Sequence, residues 1–580
     1  MGEYKESVEG LVKMVQRKQL RLPAMQRKYV WRATRVRDLL DSLYRGYPSG
    51  TILVWANRDP VPVRDMAIAQ DKEHSGDYQL LLDGQQRITS LSAILRGEPL
   101  FVRGRKKPLD ILFNLDHPDK LELVTEVDDD VDNGEDDEDQ EDDEGLVNED
   151  EGDVDEDELN ARMKKLTFVV ASKRLRQQPN WVSVTEVLQS DAHDADILER
   201  LGVESLRDPR HKKYSARLQQ LRRIKDYTYN IHVLDEKLSY EEVTEIFVRV
   251  NSLGAKLRSS DLAMAQITAK WRDALDHFNA YAERCAEARF PVEHGTLVKN
   301  LVSQITGQSK FNSIGSIKDG VFKAHWKSST ESFDRAIDFL KHNAGIDHPA
   351  MLSSPFLLIA LACLFQRKER LKPTEERRLC YWVLVANAKG RYSRGSSEGL
   401  LNQDLVAINS KGGPDLDQLL KNLSVQFGRL DIQPGDLAGR NPRSGLFRTM
   451  FLVFRAKGAK DWLTQGAIAV AQQSRKHQLQ FHHIFPKARL RELGYKSGLI
   501  NDICNLAFIS GHTNRKLMTT EPAKYITKLI DEQGSGPFRA QAIPTDERVL
   551  KLDQYEEFLE KRRVMVAGAL NTYLEAIRRG

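Results

Sequence analysis

Cysteine is scarce in this chain: four in 580 residues, at positions 285, 363, 380 and 504, with no Cys-x-x-Cys pair. The spacing excludes a disulfide framework and a four-cysteine zinc brace, and it predicts reduced, mostly buried thiols in a cytoplasmic protein. Long apolar runs are lacking as well. The greasiest stretch, LLIALACLF at 357–365, is too short to span a bilayer and predicts a buried helix. The first residues carry charges at Glu3, Lys5 and Glu6 where a signal segment would be apolar. No membrane partner is expected. Lysine and arginine are absent from 126–158, which holds about 22 acidic residues. With almost no apolar side chains, that tract cannot offset the entropy of ordering and predicts a disordered insertion. Two readings stay open for it: a solvated surface loop, or a DNA-like strip of charge that occupies a basic groove when substrate is absent.

What is present is basic. The 87 Lys and Arg nearly balance 84 Asp and Glu, but outside the acidic tract 62 acidic residues face all 87 basic ones, an excess of about 25. Such a balance suits a polyanion held by counterion-releasing phosphate contacts and carries no sequence preference. The length suggests about three domains.

Near the N-terminus, apolar spacing predicts helices over 7–16 and 36–45, the second closed by Gly46 and Pro48, then a strand over 51–55. A strand over 78–82 runs into Asp83-Gly84-Gln85-Gln86-Arg87, and a helix with Ile88, Leu91, Ile94 and Leu95 on one side follows, stopped by Gly97. Free backbone N–H groups at that helix start, close approach at Gly84 and the Arg87 fork suit an anion; an ordinary helix start capped by Asp83 suits the same residues equally. A strand over 228–234 and a helix over 240–250 lead to FVRVNSLGAKLRSSDL. From 262 to about 430 the pattern is helical, over 263–281, 355–365 and 375–388. Within it, KGRYSRGSSEGLLNQDL at 389–405 offers Arg391, Tyr392 and Arg394, either for DNA contact or for packing between helices. The run 441–454 reads as strand or helix. An amphipathic helix over 552–577 docks on the chain's own helices or on a second copy.

The strongest chemical signal lies at 481–516, FHHIFPKARL followed by NDICNLAFISGHTNRK. Phosphodiester hydrolysis needs a general base for water and a divalent cation for charge on the leaving oxygen. Two adjacent histidines on an extended strand face opposite ways, so one imidazole can meet a cation and the other the attacking water. Asn514 supplies a neutral oxygen, which suits Mg²⁺, and Asn505 is placed to hold the loop and orient the base. His512 competes with Asn514 as a ligand. Arg515 and Lys516 add positive charge beside it, as candidates for DNA contact. The bland alternative is a pair of surface histidines beside a proline turn, with asparagines chosen for turn geometry.

His482-His483, Asn505 and Asn514 resemble the HNH endonuclease signature in its H-N-N form. HHIFPKARL with NLAFISGHTNRK resembles the HNH domain that ends GmrSD-type restriction proteins. The resemblance implies His483 as general base, His482 and Asn514 as metal ligands and Asn505 as orienting residue; His482 stands where Asp is more usual. LPAMQRKYVW, LDSLYRGYPSGTILVW and LLLDGQQRITSL resemble the ParB-like DGQQR N-terminal domain of the same proteins, and FVRVNSLGAKLRSSDL resembles its second signature. This implies a nucleotide site that includes Gln85, in which Gly84 and Arg87 hold phosphate and Asp83 and Gln86 line the metal or water position. Gln26 and Arg27 match the early QR of the family, Met25 stands where an aromatic is common, and Arg249 and Asn251 complete the site. Phe247 is expected in the core.

The expected fold is α+β: a ParB-like domain over 1–261 with the insertion 126–158, a helical connector over 262–430, and a ββα-metal HNH domain over 431–580. The expected function is a DNA endonuclease of a modification-dependent, type IV-like anti-phage system. It would use Mg²⁺ or Mn²⁺ and be gated by a nucleoside triphosphate, with GTP, ATP, UTP and CTP undistinguished. Expected partners are double-stranded DNA, modified phage DNA in particular, and a second copy or other defence proteins. The alternative is a nucleotide-regulated DNA-binding sensor with a non-cleaving HNH fold.

Overall fold

The computed structural model describes residues 2–23, 29, 31–57, 63–64, 66, 78–102, 107–118, 166–172, 175–189, 194–203, 205–253, 259–393, 395–468, 479–517 and 519–579. The acidic tract 126–158, Gln26, Arg27 and Arg394 lie outside these residues. The chain divides between Leu275 and Asp276 into two compact units.

The first unit carries the strands β1 (Gly2–Ser7), β2 (Leu20–Pro23), β3 (Ile52–Asn57), β4 (Val63–Arg64), β5 (Tyr78–Asp83), β6 (Ile111–Asn114), β7 (Phe168–Val170), β8 (Trp181–Ser183) and β9 (Thr228–Leu234). Six form a mixed sheet in the order β1-β9-β3-β5-β2-β4, in which β5 runs parallel to β2 and antiparallel to β3. Successive residues on a strand point to opposite faces, and here both faces are apolar. Ile52, Val54, Leu81 and Ile231 join the core made with helices α1 (Val8–Gln16), α2 (Ala33–Arg45) and α3 (Gln85–Arg96). Trp55, Leu80, Leu82 and Leu234 pack instead on Val243, Phe247 and Ala265 from the helices Tyr240–Leu253 and Ser259–Lys270. A sheet covered on both sides explains the unbroken LLL of β5. Phe247 sits in the core as expected.

Local chemistry sets the element ends. The Ser7 hydroxyl accepts from the Gly10 amide at 3.0 Å and starts α1, and Gly46, at φ 70°, ends α2. The LRLP segment does more than break a helix, since it is β2, with Pro23 as its last residue. A three-stranded antiparallel sheet, β7-β6-β8, lies beside these elements. Phe113 pairs with Phe168 across β6 and β7, so the long connection holding the acidic tract leaves and returns at neighbouring strand ends. The helix expected over 263–281 is interrupted: Ser259–Lys270 ends at the buried Trp271, and Ala274–Glu287 begins a new axis.

The second unit is helical around one hairpin. Phe356–Arg367 is buried from Phe356 to Phe365, as its composition predicts. Pro373–Lys389, Gly445–Ala456 and Tyr555–Arg579 pack on one another. The expected boundary at 430/431 lies inside this unit. The ambiguous apolar run that ends 441–454 is a helix, Gly445–Ala456, capped by the Ser444 hydroxyl, which accepts from the Phe447 amide at 3.3 Å. Its first residue, Gly445, lies against the Asn387 carbonyl, where any Cβ would collide. The terminal helix docks on its own chain; Asn571, for example, pairs with both backbone groups of Ile432 at 2.8 Å.

Arg391 and Tyr392 are not DNA contacts. Arg391 is fully buried, its guanidinium bonded to both Asp404 oxygens at 2.6 and 2.9 Å and to Gln426 Oε1 at 2.6 Å. The Tyr392 hydroxyl donates to the same carboxylate at 2.6 Å. Burial and the Asp404 charge push the Tyr392 phenol well above its ordinary value. These two residues join helices, and the packing reading is the correct one.

Phe508 is the hub of the second unit's aromatic core, with the rings of Phe447, Phe451, Phe454 and Phe481 at 4.8, 5.2, 6.1 and 5.8 Å. Phe508→Ala should lower the unfolding free energy of that unit by about 3–5 kcal/mol in chemical denaturation.

Candidate functional site

Strands β10 (Leu479–His483) and β11 (Leu506–Ser510) pair antiparallel, with His482 opposite Ala507 and His483 opposite Leu506, and the helix Gly511–Leu517 follows directly. The paired strands fix the two imidazoles on opposite faces. His482 is 2% exposed, and its Nδ1 lies 2.9 Å from Asn514 Oδ1 on the helix while its Nε2 lies 3.3 Å from the Tyr525 hydroxyl. His483 turns the other way and bonds through Nε2 to Asn501 Oδ1 at 3.1 Å. An amide oxygen only accepts, so Nε2 carries the proton and Nδ1 keeps a lone pair.

Asn505 holds the loop between strand and helix. Fully buried, its amide accepts from the Phe485 N–H at 2.9 Å and donates to the Phe485 and Ile500 carbonyls at 3.2 and 3.0 Å. Its side chain shapes the backbone just after His483, whereas Asn501, which sequence reasoning missed, meets the ring. Of the two candidates on the helix, Asn514 reaches His482. His512 is two residues away, about 200° around the helix, and no hydrogen bond links it to His482. Arg515 and Lys516 are exposed on the last turn of that helix.

Several distant residues keep this geometry. Asp461, 3% exposed, accepts from the Ser510 amide at 2.6 Å and the Thr513 hydroxyl at 2.6 Å, placing a carboxylate at the N-terminus of the helix that carries Asn514. Burial raises its carboxyl, but the bonds from Thr513, Ser510 and Thr464 prevail and hold it below its ordinary value. Gln541 pairs with both backbone groups of Phe508 at 2.8 Å and completes the free edge of β11. Arg562, on the terminal helix, donates to the Cys504 carbonyl at 2.8 Å beside Asn505. The DWLT turn at 461–464 is visible in sequence as a local cap, but its tie to Ser510 and Thr513 is not.

Burial lowers His482 to about 4. Burial chiefly lowers His483 to about 3, the nearby positive charge of Lys487 and Arg491 adding to it. Both rings are neutral near pH 7 and offer lone pairs. Among the described residues no group of three or more His, Cys, Asp or Glu is arranged to hold a metal. The donors that do converge are one imidazole nitrogen and one amide oxygen. The 2.9 Å between them is a hydrogen bond; were a divalent cation bound here, His482 and Asn514 would be the residues to hold it, with water for its other ligands.

At the other candidate site, β5 runs into α3 through Gly84, whose φ of 96° suits glycine. The helix's N-cap is Gly84 rather than Asp83, whose carboxylate accepts from Arg87 Nη2 at 3.0 Å. Arg87 also donates from Nη2 to the Thr51 carbonyl at 2.7 Å and from Nη1 to the Ser49 carbonyl. Its fork clamps the 49–51 backbone. Gln85 and Gln86 are buried, and Gln86 Oε1 accepts from the Trp31 amide at 3.3 Å. Arg249 is exposed and paired with Glu245 one turn away at 2.8 Å. Asn251 lies in the helix Tyr240–Leu253, with its side chain outside the described residues.

Residues 8–268 match the family model described as GmrSD restriction endonuclease, N-terminal domain. The match supports a GmrSD-type restriction protein. It points to an endonuclease of phage defence with DNA as substrate. The chain is also similar to an uncharacterized protein of Methanocaldococcus jannaschii, 25% identical over 579 residues that cover 93% of this chain and 90% of the relative. Among the described residues no helix is long and apolar enough to cross a membrane.

Two outcomes are expected. His482 takes up protons near 6.5 when unfolded and near 4 when folded, so the unfolded state binds more protons between those values. Thermal stability should therefore fall as pH drops from about 6.5 toward about 4, and the slope should shrink in His482→Gln. Arg87→Ala should destabilise the nucleotide-free protein by about 2 kcal/mol, measured by denaturation, because two backbone carbonyls lose a charged donor. A purely phosphate-binding arginine would leave that stability unchanged.

Proposed function

We propose that the protein is a modification-dependent, type IV-like restriction endonuclease whose cutting centre is the β10–β11 hairpin with the helix Gly511–Leu517. The observation that carries this reading is the division of labour between adjacent imidazoles. One faces Asn514 at 2.9 Å; the other is held by Asn501 with a free lone pair. His483 Nδ1 takes the proton of the attacking water while Asn501 keeps the ring in the required tautomer. Asn505 fixes the backbone that aims it. Mg²⁺ or Mn²⁺ on His482 and Asn514 would supply charge stabilisation at the leaving oxygen. Lys487, Arg491, Arg515 and Lys516 supply positive charge for phosphates. The family match over 8–268 supports DNA as the substrate class, and the HNH resemblance of 481–516 supports hydrolysis. Nucleotide control at 83–87 rests on resemblance alone, because Arg87 is engaged with the protein backbone.

The test is cleavage of phage DNA with and without base modification, plus and minus Mg²⁺ and nucleoside triphosphate. His483→Ala should cut about 10²–10⁴-fold more slowly than wild type with DNA binding retained. Equal nicking by both proteins removes the general-base assignment. Binding without cutting under every condition favours the regulatory alternative, and cutting indifferent to nucleotide removes the gating.

A further inference from the structure

Tyr525 has no part in the HNH resemblance, yet it is the buried neighbour of the imidazole assigned to the cation. It lies on the helix Pro522–Gln533, 4% exposed, and its ring stacks with Trp462 at 6.1 Å. Its hydroxyl stands between two groups, His482 Nε2 at 3.3 Å and the Ile484 carbonyl at 3.2 Å. A phenol has one proton to donate and lone pairs to accept with, whereas a carbonyl only accepts. The hydroxyl therefore has two states. Its proton goes to Nε2, and His482 carries its own proton on Nδ1, donated to Asn514 Oδ1; or its proton goes to the Ile484 carbonyl, and the hydroxyl oxygen accepts from an Nε2–H, which leaves Nδ1 bare.

The first state satisfies both ring nitrogens when no cation is present, and the proton it gives Nε2 is withdrawn from the Ile484 carbonyl. The second is the one a cation needs, because a ligating nitrogen must offer a lone pair and the other ring N–H must find an acceptor. His482 is buried, so without the hydroxyl oxygen an Nε2–H would have no described hydrogen-bond partner.

We infer that Tyr525 is a positioning residue that latches His482 in either tautomer, its hydroxyl rotating from Nε2 to the Ile484 carbonyl when a divalent cation takes Nδ1. One proton leaves Nδ1 and one is taken up at Nε2, so the ring stays neutral. This inference rests on the reading of His482 and Asn514 as metal ligands, and its test separates the two.

The test uses the full-length protein and the metals alone. Two-bond ¹H–¹⁵N spectra of histidine-labelled wild type should show His482 as Nδ1–H without metal and as Nε2–H with Mg²⁺. Mn²⁺ titration followed by electron paramagnetic resonance should show binding lost in His482→Ala and weakened about 10–100-fold in Tyr525→Phe, which keeps the ring and removes only the hydroxyl. If Tyr525→Phe binds Mn²⁺ as tightly as wild type while His482→Ala does not bind, the latch is overturned and the metal site stands. If His482→Ala binds as wild type does, or wild type does not bind, the metal reading falls and the latch with it. The wild-type spectra need no variant: an unchanged His482 tautomer on saturation with Mg²⁺ overturns the latch even where Tyr525→Phe fails to fold.

Discussion

A single buried amide, that of Asn505, ties the β10–β11 hairpin to the loop and helices around it. A loop entering a helical core brings backbone polar groups out of water, and each must find a partner. Asn505 provides partners for three of them, two on Phe485 and one on Ile500. The turn after His483 is thereby fixed, and Phe485 is seated against Tyr555 and Phe558 of the terminal helix. That helix returns the support through Arg562, whose guanidinium is spent on backbone carbonyls at Ala542, Cys504 and Gln541. The hairpin is thus held by the terminal helix packed against it.

Burial also decides the site's electrostatics. Desolvation keeps both histidines neutral near pH 7, at a cost in stability that grows as the medium becomes acidic. Neutral imidazoles are what base and ligand chemistry require. Asp461, a buried carboxylate tied into this arrangement through the chain's own donors, faces the N-terminus of the helix bearing Asn514, where a negative charge is favourable.

The two conspicuous motifs differ in what they contribute. At 482–514 the sequence spacing and the three-dimensional convergence agree on His482 and Asn514. At 83–87 the loop shape is as expected, a strand feeding a helix through a glycine at positive φ, but the arginine is used inward. The same guanidinium geometry that recognises phosphate also suits adjacent backbone carbonyls. A linear motif does not say which of these lies within reach. Arg391 is the same lesson in the second unit: read beside glycine and serine it suggested a surface contact, but Asp404, thirteen residues on, draws it fully inside.

Local order was legible wherever period and caps speak for themselves. Ser7 before α1, Gly46 and Gly97 after α2 and α3, the apolar run 357–365 and the paired histidines all declared their elements, because each depends on neighbours within a turn or a strand. The sequence by itself thus determined the strand-loop-helix order of 479–517 and its chemical vocabulary of imidazole and amide. Only the tertiary structure decided that Asn501 rather than Asn505 meets His483, that Asn514 rather than His512 meets His482, and that Tyr525, Asp461 and Arg562 stand behind them. Those choices depend on which side chains share a buried space across 18 to more than 50 residues of chain. Hydrogen-bond partners inside a core are selected by distance and direction, which no spacing along the chain records.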